Sequence, residues 1–228
     1  MTIYRSALIS RKASLSEAAF KSHWIEVHGE LARKLPGLLH YRQNHILDRV
    51  YEAPAFPLQR IDGISQLAFQ SIEAMERSDA SQAYALTKED IPKFQGEITI
   101  LVLKAFELVQ RRSAEVLYKV ILVSTRGMHQ QSSWDPVEDW WPSVKAQIEQ
   151  LPGLRGLTQN KVIDRNHPVS AGIPSGDGRR AEALTELWFD SERNLNEAIS
   201  SELFSQFMTQ DFWLRTVAIY RIQEVKIC

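Results

Sequence analysis

Residues 3–10 (IYRSALIS), 39–48 (LHYRQNHILD) and 63–70 (GISQLAFQ) read as strands, short runs that mix β-branched, aromatic and other apolar residues with polar ones. Residues 97–108 (EITILVLKAFEL) form a longer, strongly apolar run of strand type. Between the first two strands the spacing changes to three and four: Phe20, Trp24, Val27, Leu31 and Leu35 make one apolar stripe of a helix. Ser14-Leu15-Ser16-Glu17 supplies a capping box for its start, and Pro36-Gly37 ends it. Ile72 to about Leu86 reads as a second helix, weakened by Ser78, Asp79 and Ser81. The predicted order is β-α-β-β-α-β, the split pattern of a ferredoxin-like unit.

After a polar connector at 109–116, residues 117–124 (LYKVILVS) restart the pattern. Leu35-Pro36-Gly37-Leu38 recurs as Leu151-Pro152-Gly153-Leu154, 116 residues on, and eight of fifteen residues are identical between 35–49 and 151–165. ALTELWFDS at 183–191 matches GISQLAFQS at 63–71 with the offset grown to 120, so four residues are inserted between. The expected boundaries are two halves, 1–112 and 113–228. The expected fold is α+β: two ferredoxin-like halves packed sheet to sheet as a single-chain barrel, each burying the other's open face. In the second half Asp135-Pro136 and Glu138 start a helix, Pro142 predicts a kink or restart within it, 193–209 reads as a helix and 214–225 as the last strand. The loop at 166–180, rich in Gly, Pro and Ser, is expected to be mobile and to lie over a cavity as a lid.

Charge narrows the function classes. With 27 basic against 28 acidic side chains and no basic run, the chain has no electrostatic footprint for nucleic acid or membrane. The start lacks an apolar segment of signal length, and no later run is long enough to span a bilayer, so a cytoplasmic location is expected. Cys228 is the single cysteine, which excludes an internal disulfide.

The spacing Trp24-x-x-x-His28, then LPGL, then Tyr41 with Gln43-Asn44, together with the third-strand segments at 62–71 and 183–191, resembles the EthD family of the dimeric α+β barrel superfamily. The resemblance covers both halves and is most specific from Trp24 to Asn44. Most such proteins carry one domain and dimerise, so it implies a fused dimer, with a further homodimer of that barrel still open. It implies a range of activities: lactone isomerases, dehydratases and cyclases, cofactor-free monooxygenases, haem enzymes, and accessory proteins.

The choice rests on residues. His28 follows Trp24 by one turn, at the edge of the apolar stripe, where an imidazole titrating near neutrality serves as a general acid or base; the alternative is a structural histidine on a backbone carbonyl. Tyr41 lies on the adjacent strand, with Gln43 and His45 on the same face by alternation. Its phenol could donate to a substrate carbonyl or oxyanion, or be a packed side chain with a wet hydroxyl. Trp24, Gln43, Asn44 and His45 are the candidate substrate contacts, although Gln-Asn, kept in both halves, also reads as a tie between strand ends. His23, His40, His129 and His167 form no metal-ligand spacing with the rest, no glycine-rich loop has a strand-to-helix context, and no Gly-x-Ser-x-Gly is present. The expected protein needs no cofactor, haem being the low-ranked exception. It takes a small hydrophobic or aromatic carbonyl compound, which it isomerises, dehydrates or cyclises. The rivals are a non-catalytic binding or accessory protein of a degradative oxygenase system, and a haem-binding or cofactor-free monooxygenase. His28 aligns with Val144 and Tyr41 with Leu157, so one competent pocket is expected, in the first half. The alternative is a separate aromatic pocket around Trp140, Trp141 and Trp188.

Overall fold

A computed structural model describes residues 2–54, 60–111, 117–128, 134–167, 173–176, 180–209 and 213–228. The strands are β1 (Ile3–Arg11), β2 (His40–Glu52), β3 (Gly63–Phe69), β4 (Gln95–Val109), β5 (Tyr118–Arg126), β6 (Leu154–Asp164), β7 (Ala181–Phe189) and β8 (Leu214–Lys226). They form one closed antiparallel barrel in the order β1-β3-β2-β8-β5-β7-β6-β4. This corrects the expectation of two ferredoxin-like halves stacked sheet to sheet. Separate sheets would leave β2, β4, β6 and β8 as open edges with unpaired N–H and C=O groups. Instead β2 pairs with β8 from Arg42↔Lys226 onward, and β4 with β6 from Val102↔Asp164 onward, so both seams are hydrogen-bonded ladders and the sheet has no edge.

Alternation along the strands sorts side chains to the two faces of that sheet. Tyr4, Leu8, Ile64, Leu101, Ile121, Val123, Leu184 and Tyr220 point inward and fill the barrel with a single apolar cluster. At one level the filling is polar. The ammonium of Lys119 lies 2.6 Å from Glu186 and from Glu224 and donates to Asn44 Oδ1 at 2.7 Å, while Gln66 and Asn160 donate to Glu186 at 2.6 and 2.7 Å.

The few helices lie outside the barrel. α1 (Glu17–Ser22) runs into a π-helical segment, π1 (His23–His28), and then α2 (Gly29–Ala32); Ser16, rather than Ser14, is the N-cap, accepting from Ala19 N–H. The helix expected over 72–86 is two: α3 (Ile72–Asp79) and α4 (Gln82–Phe94), each started by a serine cap, Ser71 and Ser81. In the second half π2 (Pro136–Trp140) gives way to α5 (Trp141–Ile148) immediately before Pro142, and 193–209 divides at Ser200-Ser201 into α6 (Glu192–Ile199) and α7 (Glu202–Thr209). Among the described residues no helix is long and apolar enough to cross a membrane.

The lid expectation falls largely on residues 168–172 and 177–179, outside the described residues. The described piece between them is fastened to β4: Ile98 N–H donates to Pro174 O at 3.2 Å and Gly176 N–H to Ile98 O at 3.1 Å. Ile173 packs with Ile98, Trp24 and Phe20 in the layer between barrel and first helix.

Candidate functional site

The π turn sets the site. In an α-helix, residues five apart are splayed by about 140°. The wider winding of π1 instead brings His23 and His28 to one side, against α4. There Asp90, 1% exposed, receives His28 Nδ1 at 3.2 Å, His23 Nε2 at 3.1 Å and, at the surface, Lys93 Nζ at 3.3 Å. Gln43 supports this winding by donating to Trp24 O at 2.7 Å, the carbonyl that also takes the Gly29 N–H of the π turn.

Charge states follow from the surroundings. Burial alone would raise the Asp90 pKa, but hydrogen bonds from His28 and His23 outweigh it and hold the carboxyl down at about 2. His28 is pushed below its ordinary value by burial, opposed by the Asp90 bond and charge. Near neutrality the pair is therefore a carboxylate facing a neutral imidazole. A carboxylate only accepts, so Nδ1 carries the proton and Nε2 keeps its lone pair.

Tyr41 is fully buried on β2. Its hydroxyl accepts from Trp24 Nε1 at 2.9 Å and Gln43 Nε2 at 3.2 Å, which leaves its own proton to donate. Burial drives its pKa far up, so the phenol stays protonated. His45 sits beyond Gln43, bonded to Gln43 Oε1 at 3.1 Å and packed 4.6 Å from the Trp24 ring. Burial lowers its pKa to about 4, and its Nδ1 has no hydrogen-bond partner.

Trp24, His28 and Tyr41 line one cavity of about 30 Å³, together with Arg5, Tyr84 and Gln95. By that measure it has room for about two water molecules. Gln43 and His45 stand behind Tyr41 as supports. Asn44 is not in the site: it points into the barrel, donating to Ile64 O and Gln66 Oε1 and accepting from Lys119. On the other side Val144 and Leu157 lie in an apolar cluster with Trp140, Phe204 and Phe207. Trp188 shares no pocket with Trp140, because it alternates with Leu187 and Phe189 and stacks under Arg111 and Lys119 on the opposite face of β7.

The residues that the pattern reading missed are Asp90, His23, Arg5, Tyr84 and Gln95. Two left a signal. Asp90 falls on the buried stripe of α4 made by Tyr84, Thr87, Ile91 and Phe94, and Arg5 falls between Ile3 and Ala7 on the helix-covered face of β1. A charge at a core position calls for a partner.

Residues 12–97 match the EthD domain model. This stretch is similar to an EthD domain. It contains every residue of the site named above except Arg5, which β1 contributes from outside it. No protein of curated function matches the sequence significantly. Solved structures with the same overall shape include an anthrone oxidase-like protein (12% identity, 99% of this chain and 93% of that one, TM-score 0.62). A Lactobacillus acidophilus protein provisionally named a monooxygenase is 11% identical over 100% of this chain and 94% of that one, with TM-score 0.54. A chlorite dismutase variant from Candidatus Nitrospira defluvii is 7% identical over 97% and 91%, with TM-score 0.52. At these identities the likeness is one of fold.

Haem fits neither of two cavities among the described residues. The cavity at His28 is an order of magnitude too small for a porphyrin, and the larger groove of about 530 Å³, between Val50, Tyr51, Ile199, Phe204 and Met208, is lined by no histidine. Among the described residues no group of three or more His, Cys, Asp or Glu side chains could hold a metal ion. The nitrogens of His23 and His28 that face Asp90 are donors there and not ligands.

Proposed function

We propose that the EthD domain catalyses proton transfer at the carbon next to a carbonyl of a small molecule, as in an isomerisation, dehydration or cyclisation that needs no cofactor. His28 Nε2 takes the proton, Tyr41 O–H donates to the carbonyl oxygen as it gains negative charge, and the imidazolium returns the proton to another carbon or to a departing hydroxyl. Asp90 acts through His28: it fixes the tautomer and stabilises the imidazolium. The observation that carries this reading is the His28–Asp90 pair, buried and bonded at 3.2 Å, on the wall of a cavity shared with a phenol whose proton is free to donate.

The test is deuterium exchange at the carbon next to the carbonyl in a panel of small lactones and enones, followed by NMR. His28→Ala should slow it about 10²- to 10⁴-fold and Tyr41→Phe by about 10²-fold. Exchange that is unchanged in His28→Ala, or absent from the whole panel, removes the reading. The tightness of the cavity favours a second reading, a binding or accessory protein without catalysis, in which small ligands would quench Trp24 but exchange no deuterium. A cytoplasmic setting is part of the proposal and is in keeping with the exposed free thiol of Cys228.

A further inference from the structure

We infer that Arg5 is the anion-holding group of this cavity, and that the molecule it takes is a small carbonyl compound bearing a carboxylate. This rests on the cavity being the site and on its walls yielding to a molecule larger than the roughly two waters it has room for, and it differs from the largely apolar or aromatic ligand that the sequence led us to expect. Arg5 is 9% exposed and lines the cavity with His28 and Tyr41. Its Nη2 donates to the Tyr84 hydroxyl, and its guanidinium carbon lies 4.5 Å from the Tyr84 ring centroid, so the fork is held against an aromatic wall.

Its charge is only partly answered. The carboxylate beside it, Asp79, is 3.6 Å from Nε, beyond hydrogen-bond length, and Nε is buried without a hydrogen-bond partner. Asp79 is shared: its Oδ2 takes His167 Nε2 at 2.9 Å. A guanidinium buried at such a cost, with a donor to spare, is built to receive a further acceptor. Gln95, also on the cavity wall and 3% exposed, has a buried Oε1 with no partner, which suits a hydroxyl or N–H on the same ligand. The field of Arg5 reaches the other groups. Burial is the main reason that His28 titrates low, and the Arg5 charge acts in the same direction; burial raises Tyr41 and Tyr84, and that charge opposes it. A positive potential at the Tyr41 hydroxyl favours the negative charge that an enolate would place there.

The experiment compares pyruvate with its neutral isostere pyruvamide, read from the Trp24 indole N–H signal by NMR titration. The full-length wild-type protein should bind pyruvate saturably and at least tenfold more tightly than pyruvamide. Arg5→Gln should weaken pyruvate at least tenfold and change pyruvamide by less than twofold, with Arg5→Lys between. If Arg5→Gln does not fold, Tyr84→Phe, which frees the guanidinium from its wall, should weaken pyruvate by three- to tenfold and leave pyruvamide alone. No saturable response to pyruvate in the wild type, or equal pyruvate affinity in a folded Arg5→Gln protein, overturns the inference. Binding of pyruvate that depends on Arg5 without deuterium exchange upholds it and removes the proton-transfer reading instead.

Discussion

Gly63→Ala tests how tightly the indole that holds Tyr41 is itself held. Gly63 opens β3, between Ile9 of β1 and His45 of β2. A Cβ there would lie 2.2 Å from Trp24 Cζ3 and 2.6 Å from Cη2. Ordinary carbon contacts need about 3.5 Å, so the ring must withdraw by about 1.3 Å. Beyond the small cavity it lines, the ring has little room: Trp24 is fully buried, packed on Phe20 and His45 with centroids 5.4 and 4.6 Å apart, and tied through Nε1 to Tyr41. Overpacking costs about 1–3 kcal/mol and the strained or broken Trp24–Tyr41 bond about 1 kcal/mol more, so a loss of about 2–4 kcal/mol is expected. Trp24→Phe removes the clashing atoms but leaves a void and takes the donor from Tyr41. It should cost less than the 3–5 kcal/mol that is typical, roughly, of full truncation to alanine. In the double variant the new methyl group moves into that void, so the two costs should fall short of their sum by at least about 1 kcal/mol. Urea unfolding followed by circular dichroism measures all three. A Gly63→Ala loss below about 0.5 kcal/mol, or strict additivity in the double variant, would refute the packing argument.

The two LPGL turns should respond differently to the same change. Gly37 and Gly153 have φ of 74° and 66°, so alanine is strained at both, by about 1 kcal/mol, but only at Gly153 would the methyl group meet Asn194 and Asp190, at 2.4 Å. Thermal melts should rank Gly153→Ala clearly below Gly37→Ala. Lys119→Met inside the barrel leaves Glu186 buried without its cation and should cost about 3–5 kcal/mol in urea unfolding, part of it recovered by adding Glu186→Gln. Deuterium exchange should need neutral His28. Because burial lowers that pKa, with Asp90 opposing and His23 and Arg5 adding to it, the rate should stay level as pH falls through 6.5 and decline only below the depressed value; a midpoint above 6.5 contradicts the burial argument. Residues 1–112 alone would expose the edges of β2 and β4 and half of the inner cluster, so light scattering should show self-association.

Much of the fold was legible from local pattern. Short runs rich in apolar residues marked the strands because strands such as β1, β3 and β7 are buried on both faces, and the stripe from Phe20 to Leu35 marked the first helix. Tyr41, Gln43 and His45 on one face followed from the pleat, and the replacement of His28 and Tyr41 by Val144 and Leu157 from the 116-residue repeat, whereas Asn44, expected as a substrate contact, points into the barrel. Three things had no local signature. Closure of the sheet depends on β2 meeting β8 and β4 meeting β6, pairings between residues 48 or more positions apart that no periodicity encodes. The joining of His23 to His28 depends on a π turn, and counting at α-helical spacing places the two on different sides. The third is the polarity of the cavity. Asp90, Arg5 and Gln95 come from α4, β1 and the start of β4, and each is a charged or polar residue at a buried position. The partner of such a residue is chosen by the packing of distant elements, which here sets Arg5 and Gln95 on one cavity wall with His28 and Tyr41.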